Sequence, residues 1–167
     1  MLSNADNEWM KFESEDKEYF RYIASLEEMD PPLKEVIFNF PIFVGQVNIA
    51  RMLFFYELYK KVMDLSGNIA EVGTYKSPSF VFWAKVIKLF ENNDPTRVYG
   101  FDWFQGMKTG ENDNTDNEGR YRADYETLCS LIKLQGLENI TLLKRMDVTT
   151  ELEAFLEERP WLRFKLI

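Results

Sequence analysis

Apolar side chains along this chain recur either at helical spacing or in short uninterrupted runs. Helical spacing predicts helices over residues 14–28, 46–65, 79–90, 123–135 and 149–158. The short apolar runs predict strands over residues 69–72, 98–101, 140–143 and 162–167. The first helix is expected to end at Pro31 and Pro32, and a short irregular piece is expected to follow as far as Pro41.

The alternation of strands and helices after residue 67 indicates the fold class. Strands that are apolar on both faces are typical of parallel sheets with helices on each side. We therefore expect an α/β fold with a Rossmann-like, doubly wound, mostly parallel sheet over residues 67–167, after a helical lead-in over residues 1–66. Ligands of such sheets bind beyond the carboxyl ends of the strands, so candidate site residues are sought there.

Composition excludes several classes of enzyme. The 167 residues include no histidine, so this chain cannot supply a Ser-His-Asp relay, a paired-histidine zinc site or an imidazole base. The single Cys129 excludes an intramolecular disulfide and a cysteine-rich metal site, and it favours a reducing, cytoplasmic compartment. The hydrophobic fraction of 46% and the aromatic fraction of 16% are those of a folded protein.

Charge and segment length argue against nucleic acid and membranes as partners. The 20 Lys and Arg residues against 28 Asp and Glu residues give a net charge of −8. The basic residues are scattered and form no stripe that would follow a phosphate backbone. The amino terminus is acidic, unlike a secretory signal, and no run approaches the roughly 20 apolar residues of a membrane span. We therefore expect a soluble protein.

The first predicted strand ends in a short turn that opens directly into a helix. The candidate ligand-binding residues in and around this turn are Glu71, Gly73, Thr74, Tyr75, Ser77 and Ser79. A glycine after a strand lets the backbone approach a bound molecule, and the free N–H groups of a helix start favour an anionic group. The alternative is a plain turn with Ser77 as N-cap and Pro78 at the first helical position. Neither a dinucleotide fingerprint nor a Walker loop is present, which argues against nicotinamide and nucleoside-triphosphate enzymes.

Acidic residues also follow the second and third predicted strands. Asp102 ends the second strand, where a carboxylate commonly accepts hydrogen bonds from both hydroxyls of a ribose. After the third strand, Asp147 is a candidate to accept from the exocyclic amine of adenine while Met146 packs on the ring. The alternative for each acid alone is an ordinary turn or loop residue. Together with Glu71, however, they predict an adenosine site.

Three stretches of the chain resemble the cofactor half of class I S-adenosylmethionine-dependent methyltransferases: GNIAEVGTYKSPSFVFWAKV, RVYGFDWFQGM and GLENITLLKRMDVTTELEAFLEERPWLRFKLI. Within that superfamily the chain is most similar to sugar O-methyltransferases of the macrocin type, some of which act on nucleotide-linked deoxyhexoses. The most specific of the motifs is GFDWFQG, from Gly100 to Gly106. The resemblance extends from about residue 40 to the end of the chain.

The resemblance implies that S-adenosylmethionine is the cofactor. Gly73 and the turn after it would lie against the methionine part, and Glu71 would organise the turn. Asp102 would hold the ribose and Asp147 the adenine, with Trp103 as a further cofactor contact. The implied activity is S-adenosylmethionine-dependent O-methylation of a small hydroxylated acceptor, a sugar or a nucleotide-linked sugar.

Two departures from the family pattern affect this interpretation. Relatives usually carry two or three glycines where this chain has Ser77-Pro78-Ser79, which restricts the backbone. In relatives the fourth strand continues into acidic residues that bind a divalent metal such as Mg²⁺ and help to deprotonate the acceptor hydroxyl. This chain ends at Ile167 inside an apolar strand. We therefore expect an incomplete sheet whose open edge needs a partner, either a second copy of the chain or a missing carboxyl-terminal half.

Three hypotheses about function stay open at this point. The first is a methyltransferase whose catalytic groups lie outside residues 1–167, so that this chain alone is inactive. The second is a non-catalytic fragment or binding module that retains the methyltransferase fold. The third is an unrelated Rossmann-like protein with another adenosine ligand.

Overall fold

The computed structural model describes residues 13–91, 95–108 and 118–167. In this part of the chain the helices before the first strand are α1 Glu13–Met29, α2 Leu33–Phe38, α3 Phe40–Phe43 and α4 Gln46–Val62. The prediction of an irregular piece ending near Pro41 was therefore wrong. Pro32 lies at the N-cap of α2 and Pro41 lies in the first turn of α3. Proline is tolerated at these positions because the first N–H groups of a helix have no partner within it.

Strands and helices alternate after the lead-in, as the sequence predicted. The elements are β1 Asn68–Val72, α5 Pro78–Phe90, β2 Val98–Asp102, α6 Tyr125–Leu134, β3 Thr141–Arg145, α7 Val148–Glu157 and β4 Phe164–Leu166. The strands pair in parallel in the order β3-β2-β1-β4. The chain thus proceeds from β1 outward to β3 and then crosses back to place β4 on the other side of β1. This confirms the doubly wound, Rossmann-like sheet, with its switch point between β1 and β4.

Apolar side chains pack against both faces of the sheet. On one face, Ile69 of β1 lies in a cluster with the fully buried Phe80 of α5. On the other face, Ala70 and Phe101 pack with Phe155 of α7. Successive strand residues point to opposite faces, so a strand covered on both sides must be apolar at consecutive positions. Each phenylalanine buried in this way contributes roughly 1.5–3 kcal/mol.

A buried ion pair connects β4 to the end of α5. The Nζ atom of Lys165 lies 3.1 Å from the carboxylate of Glu91, and the two side chains are only 1% and 7% exposed. The hydroxyl of Tyr59 donates to Glu91 at 2.6 Å, and Lys165 also donates to Thr96 at 3.4 Å. These additional hydrogen bonds offset part of the cost of removing two charges from water.

By compactness the chain divides within α4, between Phe54 and Phe55. In the part before the division, the hydroxyl of Tyr22 donates to the carbonyl of Phe43 at 3.0 Å, which connects α1 to α3. The part from Phe55 onward contains the sheet. The predicted boundary between residues 66 and 67 stays a prediction. None of the described helices combines the length and the apolar character that crossing a bilayer requires.

Candidate functional site

A cavity of about 420 Å³ lies at the carboxyl ends of β1, β2 and β3. Six of the residues predicted from the sequence line it: Gly73, Tyr75, Asp102, Trp103, Met146 and Asp147. The doubly wound topology brings these residues together, because parallel strands end at the same edge of the sheet. This edge, beside the switch point, is where such folds bind their ligands.

The turn after β1 has an unusual backbone. Gly73 has a φ of +78°, and among the described residues nothing lies within 4 Å of the position that a Cβ would occupy there. Tyr75 and Ser77 also have positive φ values, of 49° and 61°. Residues other than glycine adopt such values only where the surrounding structure enforces them. The turn is therefore held in one particular shape next to the cavity.

Two hydroxyl groups of this turn are buried without a hydrogen-bond partner in the described chain. They belong to Thr74 and Ser77, which are 2% and 0% exposed. Ser77 lies at the N-cap of α5, but its side chain makes no capping bond. The alternative from the sequence, with Ser77 at the N-cap and Pro78 at the first helical position, is thus confirmed for the positions of both residues, but the Ser77 hydroxyl does not cap the helix. A buried hydroxyl without a partner costs about 1–3 kcal/mol, so both groups gain from a ligand or a water molecule.

Asp102 connects the loops around the cavity. Its Oδ2 atom accepts the backbone N–H of Tyr75 at 2.8 Å, and its Oδ1 atom accepts that of Phe104 at 2.7 Å. Its backbone carbonyl accepts the N–H of Met146 at 2.8 Å. A carboxylate has about four acceptor positions. One position on each oxygen therefore remains for a ligand.

Asp147 caps α7 and forms an ion pair across the cavity. Its Oδ1 atom accepts the N–H of Thr149 at 3.0 Å and the Thr149 hydroxyl at 2.6 Å. Its Oδ2 atom accepts from Lys108. The hydrogen bond from Lys108, followed by those from Thr149, lowers the pKa of Asp147 to about 2. Asp147 is therefore ionised at neutral pH.

Glu71 lies in β1, before the turn, and does not line the cavity. Its Oε1 atom accepts the hydroxyl of Ser79 at 2.9 Å, which connects β1 to the first turn of α5. Burial raises the pKa of Glu71 to about 7, against the opposing effect of hydrogen bonds from Ser79, Trp83 and the backbone of Phe80. Near pH 7 the carboxyl group is thus close to half protonated. Thr74, Ser77 and Ser79 are likewise part of the turn but not of the cavity wall.

Sequence reasoning missed other residues that line the cavity, among them Lys108 and Tyr121. Lys108 follows the GFDWFQG motif by two residues, so a wider search after the second strand would have included it. Tyr121 lies beyond the polar loop and has no such signal. Its ring packs edge-on against Tyr75, with the centroids 5.5 Å apart.

The described residues contain no group of three or more His, Cys, Asp or Glu side chains placed to hold a metal ion. The Mg²⁺ expected from the sequence resemblance stays a prediction.

Comparison with solved structures finds this fold in CalS11. A crystal structure of CalS11, a calicheamicin methyltransferase, aligns with a TM-score of 0.76 and 22% identity over 90% of this chain and 64% of CalS11. The apo structure of CalS11, described as a TDP-rhamnose 3'-O-methyltransferase of calicheamicin biosynthesis, gives a TM-score of 0.67 and 23% identity over 89% and 62%. No protein-family model and no curated protein matches the sequence.

The chain therefore spans less than two thirds of the CalS11 chains that it matches. The resemblance to sugar O-methyltransferases is confirmed at the level of the fold.

Proposed function

We propose that this chain is the cofactor-binding part of an S-adenosylmethionine-dependent O-methyltransferase. Its acceptor is a small hydroxylated molecule, a sugar or a nucleotide-linked sugar. The observation that carries the proposal is the cavity at the strand ends, where Gly73, Asp102 and Asp147 meet. The shared fold with CalS11, a TDP-rhamnose 3'-O-methyltransferase, supports the same activity.

The residues around the cavity fit an adenosine-containing cofactor. A volume of about 420 Å³ lies within the usual range for small-molecule sites. Asp102 keeps one acceptor position on each carboxylate oxygen, which matches the two hydroxyls of a ribose. Met146 and Val148 provide apolar surface for a purine.

A bound S-adenosylmethionine would supply a methyl group on a positively charged sulfur. The residues of this chain bind and orient it: Asp102 holds the ribose, and Asp147 accepts from the adenine amine. Methylating a hydroxyl also needs a base or a metal that increases the nucleophilicity of the oxygen. Asp102 and Asp147 are already hydrogen-bonded to backbone groups, and Asp147 also to Lys108. The described residues that line the cavity include no other acid, and we propose that the activating groups, with Mg²⁺ where it is used, lie outside residues 1–167.

Calorimetric titration with four ligands tests cofactor binding. We expect S-adenosylmethionine and S-adenosylhomocysteine to bind in preference to NAD and ATP. Equal binding of all four ligands, or absent binding of the first two, would overturn the assignment.

An assay of S-adenosylhomocysteine release, with nucleotide sugars and Mg²⁺, tests the catalytic part of the proposal. We expect turnover from a longer chain, or from this chain with a second polypeptide that supplies the rest of a CalS11-like fold, and none from residues 1–167 alone. Acceptor-dependent release by residues 1–167 would show that the catalytic groups lie within them. Cofactor binding without turnover in any longer form would support the non-catalytic binding module.

A further inference from the structure

We propose that Lys108 binds an anionic phosphate group of the acceptor, and that cofactor binding at Asp147 makes Lys108 available for this role. The inference rests on the proposed function and deepens it, because it selects a nucleotide-linked sugar over a free sugar. It also assigns acceptor recognition to a residue in the cofactor cavity.

Lys108 occupies a position from which it can change partners. Among the described residues that line the cavity, it is the one with a positive charge. Its ammonium group donates to the carboxylate of Asp147 and lies 4.3 Å from the centroid of the Trp103 ring. The Lys108 side chain is 52% exposed, whereas that of Asp147 is 18% exposed. The ammonium group is thus reachable from solvent while it is held at the cavity.

The ion pair between Lys108 and Asp147 is easily separated. An ion pair with a half-exposed lysine contributes little net stability, because water solvates the separated charges almost as well. The fold does not depend on it either, because Asp147 caps α7 through its other carboxylate oxygen. The Trp103 ring still attracts the ammonium group after the pair separates. A ligand can therefore replace Asp147 as the partner of Lys108.

The geometry of Asp147 couples this change to the cofactor. Its Oδ1 atom already accepts two hydrogen bonds from Thr149. The adenine amine must therefore approach Oδ2, which is the oxygen that Lys108 contacts. A second donor at that oxygen weakens its bond to Lys108. Because such coupling is reciprocal, an anion that binds Lys108 also strengthens cofactor binding.

The charge of the chain favours an anion as the new partner. A phosphate-bearing acceptor is repelled by a protein with a net charge of −8 unless the site supplies a local cation. Lysine binds phosphate groups as a point charge. A neutral sugar gains little from an ammonium group. The presence of Lys108, the one cation among the described residues that line the cavity, therefore indicates a phosphate or diphosphate group on the acceptor.

Calorimetric titration of thymidine diphosphate, pyrophosphate and thymidine, with and without S-adenosylhomocysteine, tests the inference. For the wild-type chain we expect S-adenosylhomocysteine to strengthen diphosphate binding. Lys108→Met is expected to weaken binding of thymidine diphosphate and pyrophosphate by roughly 10- to 100-fold, the loss of a charge-assisted hydrogen bond. The same variant should still bind S-adenosylhomocysteine. Thymidine binding should not depend on Lys108.

Two further variants separate the proposed role from effects on folding or net charge. Asp147→Asn keeps an oxygen that caps α7 but no longer pairs with the ammonium group. It should bind pyrophosphate more tightly than wild type in the absence of S-adenosylhomocysteine. Lys133→Met removes the same charge from the exposed last turn of α6, at the opposite end of the sheet. This variant should bind thymidine diphosphate and pyrophosphate as tightly as wild type does.

Absent diphosphate binding by the wild-type chain, or equal binding by wild type and Lys108→Met, would overturn the inference and leave the proposed function intact. Unchanged pyrophosphate binding by Asp147→Asn would also overturn it. If pyrophosphate binds through Lys108 but S-adenosylhomocysteine does not bind, the proposed function fails, and the coupling fails with it.

Discussion

Replacing Asp102 with alanine removes the acceptor of two backbone hydrogen bonds at once. One comes from Tyr75 in the turn after β1 and the other from Phe104 in the loop after β2, at 2.8 and 2.7 Å. Tyr75 has a positive φ, so its conformation depends on such an external contact. The substitution therefore weakens the fold next to the cavity as well as removing a proposed ribose contact.

The expected magnitude follows from these two bonds. Hydrogen bonds to a charged group contribute roughly 1.5–3 kcal/mol each. Both are only partly buried, so water replaces some of the lost interaction. We expect Asp102→Ala to lower the free energy of unfolding by about 2–4 kcal/mol. It should also weaken S-adenosylhomocysteine binding by a similar amount, on the order of 2–4 kcal/mol, if two ribose hydroxyls lose their acceptor.

Urea unfolding and calorimetry measure the two effects separately, with Asp124→Ala as a matched control. Asp124 also accepts two hydrogen bonds, from the N–H and the hydroxyl of Thr127 at 3.1 and 2.8 Å, but it lies at the start of α6 and not in the cavity wall. Loss of this N-cap should lower the free energy of unfolding by less than Asp102→Ala does and leave ligand binding unchanged.

A change in unfolding free energy below about 0.5 kcal/mol for Asp102→Ala would refute the hydrogen-bonding argument, since it is smaller than one ordinary net hydrogen bond. A large loss of stability with unchanged ligand affinity would show that Asp102 serves the turn alone.

Three further substitutions test other parts of the structure. Because burial raises the pKa of Glu71 from 4.5 to about 7, the native state holds its proton more tightly than the unfolded chain. The resulting stability, on the order of 3 kcal/mol, is present below pH 4.5 and is lost as pH rises to about 7. Glu71→Gln should remove this pH dependence of the unfolding free energy in urea. An unchanged pH profile would contradict the role of Glu71. Lys165→Met leaves the carboxylate of Glu91 buried without its cation and should lower the free energy of unfolding in urea by about 3–5 kcal/mol. Full recovery of stability when Glu91→Leu is added would agree with this explanation. An unchanged stability of Lys165→Met alone would contradict it. Gly100→Ala places a Cβ 2.8 Å from the ring of Phe80 and should cost about 1–3 kcal/mol by the same measurement, unless the ring moves at no cost.

The regular elements around the sheet were predictable because each carries its own local signal. The strand at Val98 is a short apolar run, and the helix at Pro78 has apolar residues at helical spacing. Both are flanked by turn residues, and the structure places both within one residue of the prediction. The segment from Leu33 to Phe43 was not predictable in this way, because its prolines were interpreted only as helix breakers. Proline is equally compatible with a helix start, and the surrounding contacts decide between the two.

In the candidate site, too, some features were predictable from the sequence and others were not. Asp102 and Asp147 were predictable because they lie at or just beyond the carboxyl ends of strands, and strand ends converge in this fold. The pairing of Asp147 with Lys108 was not, because it joins residues 39 positions apart on loops that have no regular period. The left-handed conformation of Ser77 is also invisible in the sequence, because serine gives no signal for a positive φ.

Amide hydrogen exchange of the chain with and without S-adenosylhomocysteine tests the central claim most directly, because it reports both binding and its location. The account predicts that the ligand slows exchange in residues 73–79, 102–108 and 146–149, around the cavity at the strand ends. It also predicts that NAD and ATP at the same concentration have a smaller effect there. Unchanged exchange in all three segments, or protection confined to the helical lead-in before Phe54, would contradict the assignment of this cavity to the cofactor.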